Sequence, residues 1–216
     1  RKLVTAARFN PRLPYLSFLC INFDAPVVKE AASWFLDGVF LNYNSSYLEQ
    51  MLEQLLDEDD SPDVTRFLRA VDVRIDGFRV ERAPEWRGQR VFVRHEVGGK
   101  AYELRLSEES AGTQKLMGLA AYLMTALERG GTVVVDELDA KLHPKLLRYV
   151  ILLFKDPEVN KSGAQLIFSS QDVSTMRNDV FRRDEIWFAA RGEGEASQLW
   201  SLADIHEANG NLVSKN

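Results

Sequence analysis

Residues 132–140 read TVVVDELDA, and no other stretch restricts the possible folds as tightly. Thr132 to Val135 are four consecutive β-branched residues, a short, wholly apolar strand of the kind a parallel sheet buries on both faces. Two adjacent carboxylates, Asp136 and Glu137, follow at its carboxyl end, where open α/β sheets bind their ligands. Adjacent side chains on a strand point oppositely, but at a strand end the chain is turning, so both can face one ligand. The plain alternative is a strand that ends in an acidic turn, and this motif alone leaves both readings open.

One helix earlier stands EESAGTQKL, residues 108–116. Ser110 and Thr113 offer hydroxyls, Gly112 lets backbone approach a ligand, and a long helix begins just after. Its free amino-terminal N–H groups suit an anion. Read alone, the stretch fits an ordinary N-cap with a loop glycine better than a ligand site. The helix spans Gln114 to Glu128, with Leu116, Leu119, Ala120, Leu123 and Leu127 on its buried stripe, and Gly130-Gly131 ends it.

A length of 216 residues allows one large domain or two small ones, and 45% hydrophobic content is enough for a packed core. No apolar run reaches the length of a membrane span, and no secretory signal is visible. The chain begins at Arg1, which suggests a start cut from a longer protein; residues 1–10 read as a basic leading segment. A single cysteine, Cys20, excludes an internal disulfide, suits a reducing compartment and reads as a core thiol in its apolar run. The net charge of −5 argues against a broadly basic nucleic-acid surface, though not against a local patch.

Residues 26–40 carry Val27, Ala31, Trp34, Phe35 and Val39 at helical spacing behind Pro26. A second helix is expected from Ser46 to Leu56, with Leu48, Met51, Leu52 and Leu55 on one face. DEDDSPD, 57–63, reads as a solvated acidic loop, and Ser61-Pro62 starts a helix to about Val71 with Phe67 and Leu68 on its apolar side. Val73, Ile75, Phe78 and Val80 suggest a strand with Gly77 as a kink or bulge. RVFVRHEV and KAYELRL, joined by Gly98-Gly99, form a hairpin on which His95 is a surface or packing residue. Beyond it, 144–154 is a helix, Gln165–Ser169 and Glu185–Ala189 are buried strands, and Gln198–Trp200 is a possible fourth. Arg182 and Arg183 are either contacts to a partner, nucleic acid or phosphate, or a solvated, ion-paired couple.

Taken in order, ES-x-GT-x-KL, VVVDELDAKLHP, QLIFSS and FRRDEIWF resemble the AAA-family, ABC-like ATPases of bacterial abortive-infection and other phage-defence systems. The span from about 104 to 205 is similar to the second half of an ABC-type ATPase head of the SMC/RecF/OLD class, and 15–105 to that family's divergent middle region. The fold this implies is α/β: an ABC-ATPase-like carboxyl-terminal lobe at 106–216, with buried, largely parallel strands and flanking helices, preceded by a helical and β-hairpin region at 1–105. No GxxxxGK[ST] phosphate loop, the Walker A element of such enzymes, occurs in these residues.

The resemblance also implies roles. Asp136 matches the Walker B aspartate that holds Mg²⁺ through water, and Glu137 the catalytic glutamate. Ser110, Ala111, Gly112, Thr113 and Lys115 match the signature loop, which closes on the γ-phosphate held by the opposite subunit. Asp139, Ala140 and Leu142 match the D-loop, with His143-Pro144 as the family's LHP variant; a plain helix-start histidine is the alternative for His143. Where relatives carry a γ-phosphate-sensing histidine, this chain has Gln171, which can donate a hydrogen bond but cannot become cationic. The implied function is a cytoplasmic, homodimeric ATP- and Mg²⁺-dependent switch that controls a toxin or nuclease effector in anti-phage defence, with no membrane contact and nucleic-acid contact left open. This fragment alone is expected to bind ATP negligibly. The alternatives are a catalytically degenerate scaffold or sensor and, less well matched, an OLD-type ATPase-nuclease.

Overall fold

The computed structural model describes residues 14–42, 62–70, 75–82, 89–192 and 194–206. The expected helix at 46–56, residues 57–61 of the acidic loop and the Ser61 cap lie outside them, as do residues 1–10, Val71 and Val73, while Pro62 and Asp63 of that loop are already helical. The apolar run after Pro14 forms α1, Tyr15–Asn22, on which Phe18 is buried and Cys20 is only partly so. Pro26 opens α2, Pro26–Gly38. The helix stops two residues before the expected end, because Val39–Asn42 forms β1. The expected buried stripe of α2 is also not what is buried: Ala32 is, whereas Val27, Trp34 and Phe35 are exposed.

The segment Pro62–Ala70 forms α3, with Val64, Phe67 and Leu68 in the core. An antiparallel sheet follows, ordered β2 (Gly77–Arg82), β3 (Gln89–Val97), β4 (Lys100–Arg105). Gly77 opens β2 opposite Arg94 in an unbroken register, so the expected bulge is absent. Gly98 and Gly99, with φ of 59° and 75°, make the expected turn between β3 and β4.

The chain then switches to α/β order. Helix α4, Ala111–Arg129, begins three residues earlier than its apolar stripe suggested, because Ser110 caps it. It ends at Gly130 in the left-handed region (φ 79°), where a Cβ would stand 2.4 Å from the Ser162 carbonyl oxygen. Strand β5, Thr132–Val135, is central in a parallel sheet ordered β1-β5-β6, with β6 at Gln165–Phe168. Helix α5, Pro144–Lys155, connects β5 to β6.

Side chains alternate across this sheet. Val133 and Val135 are buried, with Phe40, Leu166 and Phe168 packed against the same core, and the Phe40 ring meets Tyr122 of α4. On the opposite face Val134 is half-buried and Ile167 is 56% exposed. The expected burial of β6 is thus corrected: among the described residues one face of the sheet is covered. The expected strands at 185–189 and 198–200 do form, shifted by up to two residues, but the first is largely exposed, not buried as expected. Trp187–Arg191 (β7) and Ser197–Ser201 (β8) pair with each other, antiparallel, as a separate hairpin. A single core joins residues from both sides of position 105, from Val64 and Phe78 through Leu116 and Leu123 to Leu147 and Val150. Among the described residues no helix is long and apolar enough to cross a membrane.

Candidate functional site

Chain geometry at the end of β5 places two exposed carboxylates side by side. Val135 pairs with Phe168, so the next residues, Asp136 and Ser169, are neighbours. The Ser169 hydroxyl donates to Asp136 Oδ1 and accepts the Glu137 backbone N–H at 2.8 Å; the Ser169 carbonyl accepts the Leu138 N–H at 3.0 Å. Leu138 is fully buried and anchors the turn in the core. Glu137 has φ 49° and Lys141 φ 64°, left-handed conformations that non-glycine residues rarely adopt and that cluster at functional sites.

Gln171 is oriented toward this turn. Its backbone N–H donates to Asp139 Oδ2 at 3.3 Å, and its Nε2 lies 3.5 Å from Glu137 Oε1. The side chain at the expected sensor position thus stands beside the expected catalytic carboxylate. Asp172, which follows, caps the 3-10 turn Val173–Thr175 through Ser174.

The Ser110 loop comes to the same edge. Ser110 Oγ accepts the Thr113 N–H at 3.1 Å and lies 2.9 Å from Thr113 Oγ1, so both hydroxyls are engaged in the cap. Ser110 and Ala111 are nevertheless exposed. At Gly112 a Cβ would stand 2.8 Å from the Lys141 carbonyl oxygen. The close backbone approach that this glycine permits is thus to the chain's own turn. Lys115 Nζ donates to the carbonyls of Glu137 at 2.6 Å and Ala140 at 2.9 Å, and burial lowers its pKa against the attraction of Asp139 and Glu137. Asp139 Oδ1 is buried without a hydrogen-bond partner among the described residues.

His143 caps α5, its Nδ1 accepting the Lys145 N–H at 3.2 Å, a position compatible with both the D-loop match and a plain helix start. His95 is a packing residue, its Nε2 2.7 Å from Oε1 of Glu109, which ties the β3–β4 hairpin to the residue preceding Ser110. Arg182 spans the Asp184 carboxylate with two contacts of 3.0 Å, and Arg183 donates to the carbonyls of Leu202 and Ile205. Both are engaged within the chain.

The donors at the turn are hard oxygens: the Asp136 and Glu137 carboxylates and the Ser169 hydroxyl. Among the described residues no group of three or more acidic, histidine or cysteine side chains forms a cage. This set fits Mg²⁺, which keeps most of its waters and takes one or two carboxylates beside phosphate oxygens. Sequence reasoning noticed the hydroxyl residues ending QLIFSS but missed what Ser169 holds and what Lys115 touches. The first was legible from the β5/β6 register; the second joins residues 22 and 25 positions apart and leaves no local signal.

A strand-edge carboxylate pair under a helix-start loop, on a parallel sheet with flanking helices, is the arrangement of an AAA/ABC-type ATPase domain. Residues 15–177, well over half the chain, match the family model described as "AAA domain, putative AbiEii toxin, Type IV TA system", and the chain belongs to that family. Among solved structures it is similar to an SMC ATPase described under "Structural biochemistry of ATP-driven dimerization and DNA stimulated activation of SMC ATPases", with 16% identity, a TM-score of 0.47, and 73% of this chain and 89% of that one covered. A second is an "SmcHead bound to the C-winged helix domain of ScpA", with 16% identity, a TM-score of 0.40, and coverage of 65% and 42%. No curated protein matches the sequence.

Proposed function

We propose that this chain carries the Mg²⁺-holding and water-activating carboxylates of an ATP-hydrolysing switch that works as a head-to-head homodimer. The observation that carries the reading is the pairing of exposed Asp136 and Glu137 at the carboxyl edge of β5, with Ser169 holding the turn and Gln171 Nε2 beside Glu137. Asp136 would hold Mg²⁺ through water and Glu137 would orient the attacking water. Bound Mg²⁺ would neutralise charge developing on the phosphates. Gln171 is placed to donate a hydrogen bond beside Glu137. The exposed Ser110 loop would cover a nucleotide held by the second subunit.

Catalysis of phosphoryl transfer is nearly all positioning and charge stabilisation, so a Walker A lobe is required, and residues 1–216 contain no such motif. The isolated chain should therefore bind ATP negligibly. The family's toxin–antitoxin description supports a place in such a system; on this reading closure and hydrolysis would control an effector, a toxin or nuclease, in anti-phage defence within the cytoplasm. Replacing Glu137 by Gln in the full-length protein tests the chemistry. Turnover should fall at least about a hundredfold while MgATP stays bound. Turnover indifferent to the substitution would contradict the reading. Absence of MgATP turnover in the unsubstituted full-length protein would favour the second one, a degenerate scaffold or sensor, for which Gln171 and the lack of a GxxxxGK[ST] motif in these residues are the supporting observations.

A further inference from the structure

We propose that Lys115 is a positioning residue for Glu137 of its own subunit, not a ligand of the partner's nucleotide, and that it joins the Ser110 loop and the catalytic turn into one unit. This rests on the ATPase reading above. The two carbonyls that Lys115 Nζ contacts, Glu137 at 2.6 Å and Ala140 at 2.9 Å, bracket the tight part of the turn. Glu137 O also accepts the Ala140 N–H at 3.0 Å, so the ammonium spans the same turn that this bond closes. Both left-handed residues, Glu137 and Lys141, lie in this segment, and such conformations persist only where their surroundings hold them.

The second link is steric. The helix start at Gly112 runs so close to Lys141 that a methyl group would stand 2.8 Å from its carbonyl oxygen. The third is electrostatic: the Asp139 and Glu137 carboxylates attract the Lys115 charge. An ammonium has three donors, and two are committed to the turn. Any shift of the Ser110 helix start as it closes on the partner's nucleotide is therefore passed through Lys115 and Gly112 to the backbone that aims Glu137. The loop that reads one nucleotide and the carboxylate that acts on the other move together, which couples the two sites of a dimer.

The test uses the full-length protein with Lys115→Met, alone and combined with Glu137→Gln. The single variant should lose at least about tenfold in kcat, with KM for MgATP within about threefold of wild type. Lys115→Arg, which keeps a cation and several donors, should recover most of the rate. The double variant should form the same ATP-dependent dimer as Glu137→Gln alone, because the partner's nucleotide has lost no ligand. Loss of that dimer in the double variant alone would identify Lys115 as a ligand in trans and overturn the inference, as would wild-type kcat in Lys115→Met. Failure of Glu137→Gln by itself to dimerise with ATP would overturn the underlying ATPase reading instead. Should the methionine variant melt below the assay temperature, Lys115→Gln is read by the same criteria.

Discussion

The Ser169 hydroxyl holds both parts of the acidic turn, donating to Asp136 and accepting from the Glu137 N–H. Ser169→Ala removes both bonds; the site is exposed, so water can take the freed Glu137 N–H, and each bond is worth about 0.5–1.5 kcal/mol net. In the full-length protein kcat should drop about tenfold or more, with ATP affinity changed less than about threefold. Equal losses in both would mean that Ser169 serves binding and not the turn. Asp179 poses a separate question. It stands 2.9 Å from both Arg148 and Arg177, and hydrogen bonds from first Arg148 and then Arg177 lower its pKa from 3.8 to about 2. A carboxylate whose folded pKa is depressed stabilises the fold above its unfolded value, and that contribution disappears as pH falls through the folded one. The melting-temperature difference between wild type and Asp179→Asn should hold constant at neutral pH and shrink from about pH 4 to pH 2.

At the scale of elements, α4 is the spine of the domain. Leu116, Met117, Leu119, Ala120, Leu123 and Ala126 are each essentially inaccessible, so the helix is buried over far more of its surface than one stripe. Leu123→Ala should cost about 2–5 kcal/mol in chemical denaturation, set by how far the cavity collapses. Much of this element was legible: the Gly130-Gly131 stop, the apolar spacing, and a strand rich in β-branched residues ending in Asp-Glu are all local signals. The hairpin at Gly98-Gly99 was legible for the same reason. What the sequence hid was non-local. Val39 and Phe40 read as the tail of a helix, and only the pairing of Val39–Asn42 with Thr132–Val135, some ninety residues on, makes them a strand. Trp187–Arg191 carries an apolar run that suits a buried strand, yet its partner is the neighbouring Ser197–Ser201, and Trp187 stays exposed. Within the site, the candidate residues were legible as a string of motifs. Their mutual contacts, Lys115 under the turn and His95 on Glu109, were not, because each crosses between elements.

For the whole molecule, the account depends on a composite site: Glu137 of one subunit and the Ser110 loop of another acting on one nucleotide. Mixing tests this directly. Full-length Ser110→Arg should be inactive because the loop cannot close, and Glu137→Gln because the water is not activated, with the melting temperature of each checked against wild type. Mixed in equal amounts, half of the dimers carry one variant of each kind, and each such dimer contains one site with an intact loop and an intact carboxylate. ATPase activity should then rise clearly above that of either variant alone, toward a ceiling of roughly a quarter of the wild-type rate set by two-fold symmetry and lowered by whatever Ser110→Arg passes through Lys115 to Glu137 of its own subunit. If mixed dimers form and the activity stays at the level of the separate variants, the two groups do not share a nucleotide and the account is wrong.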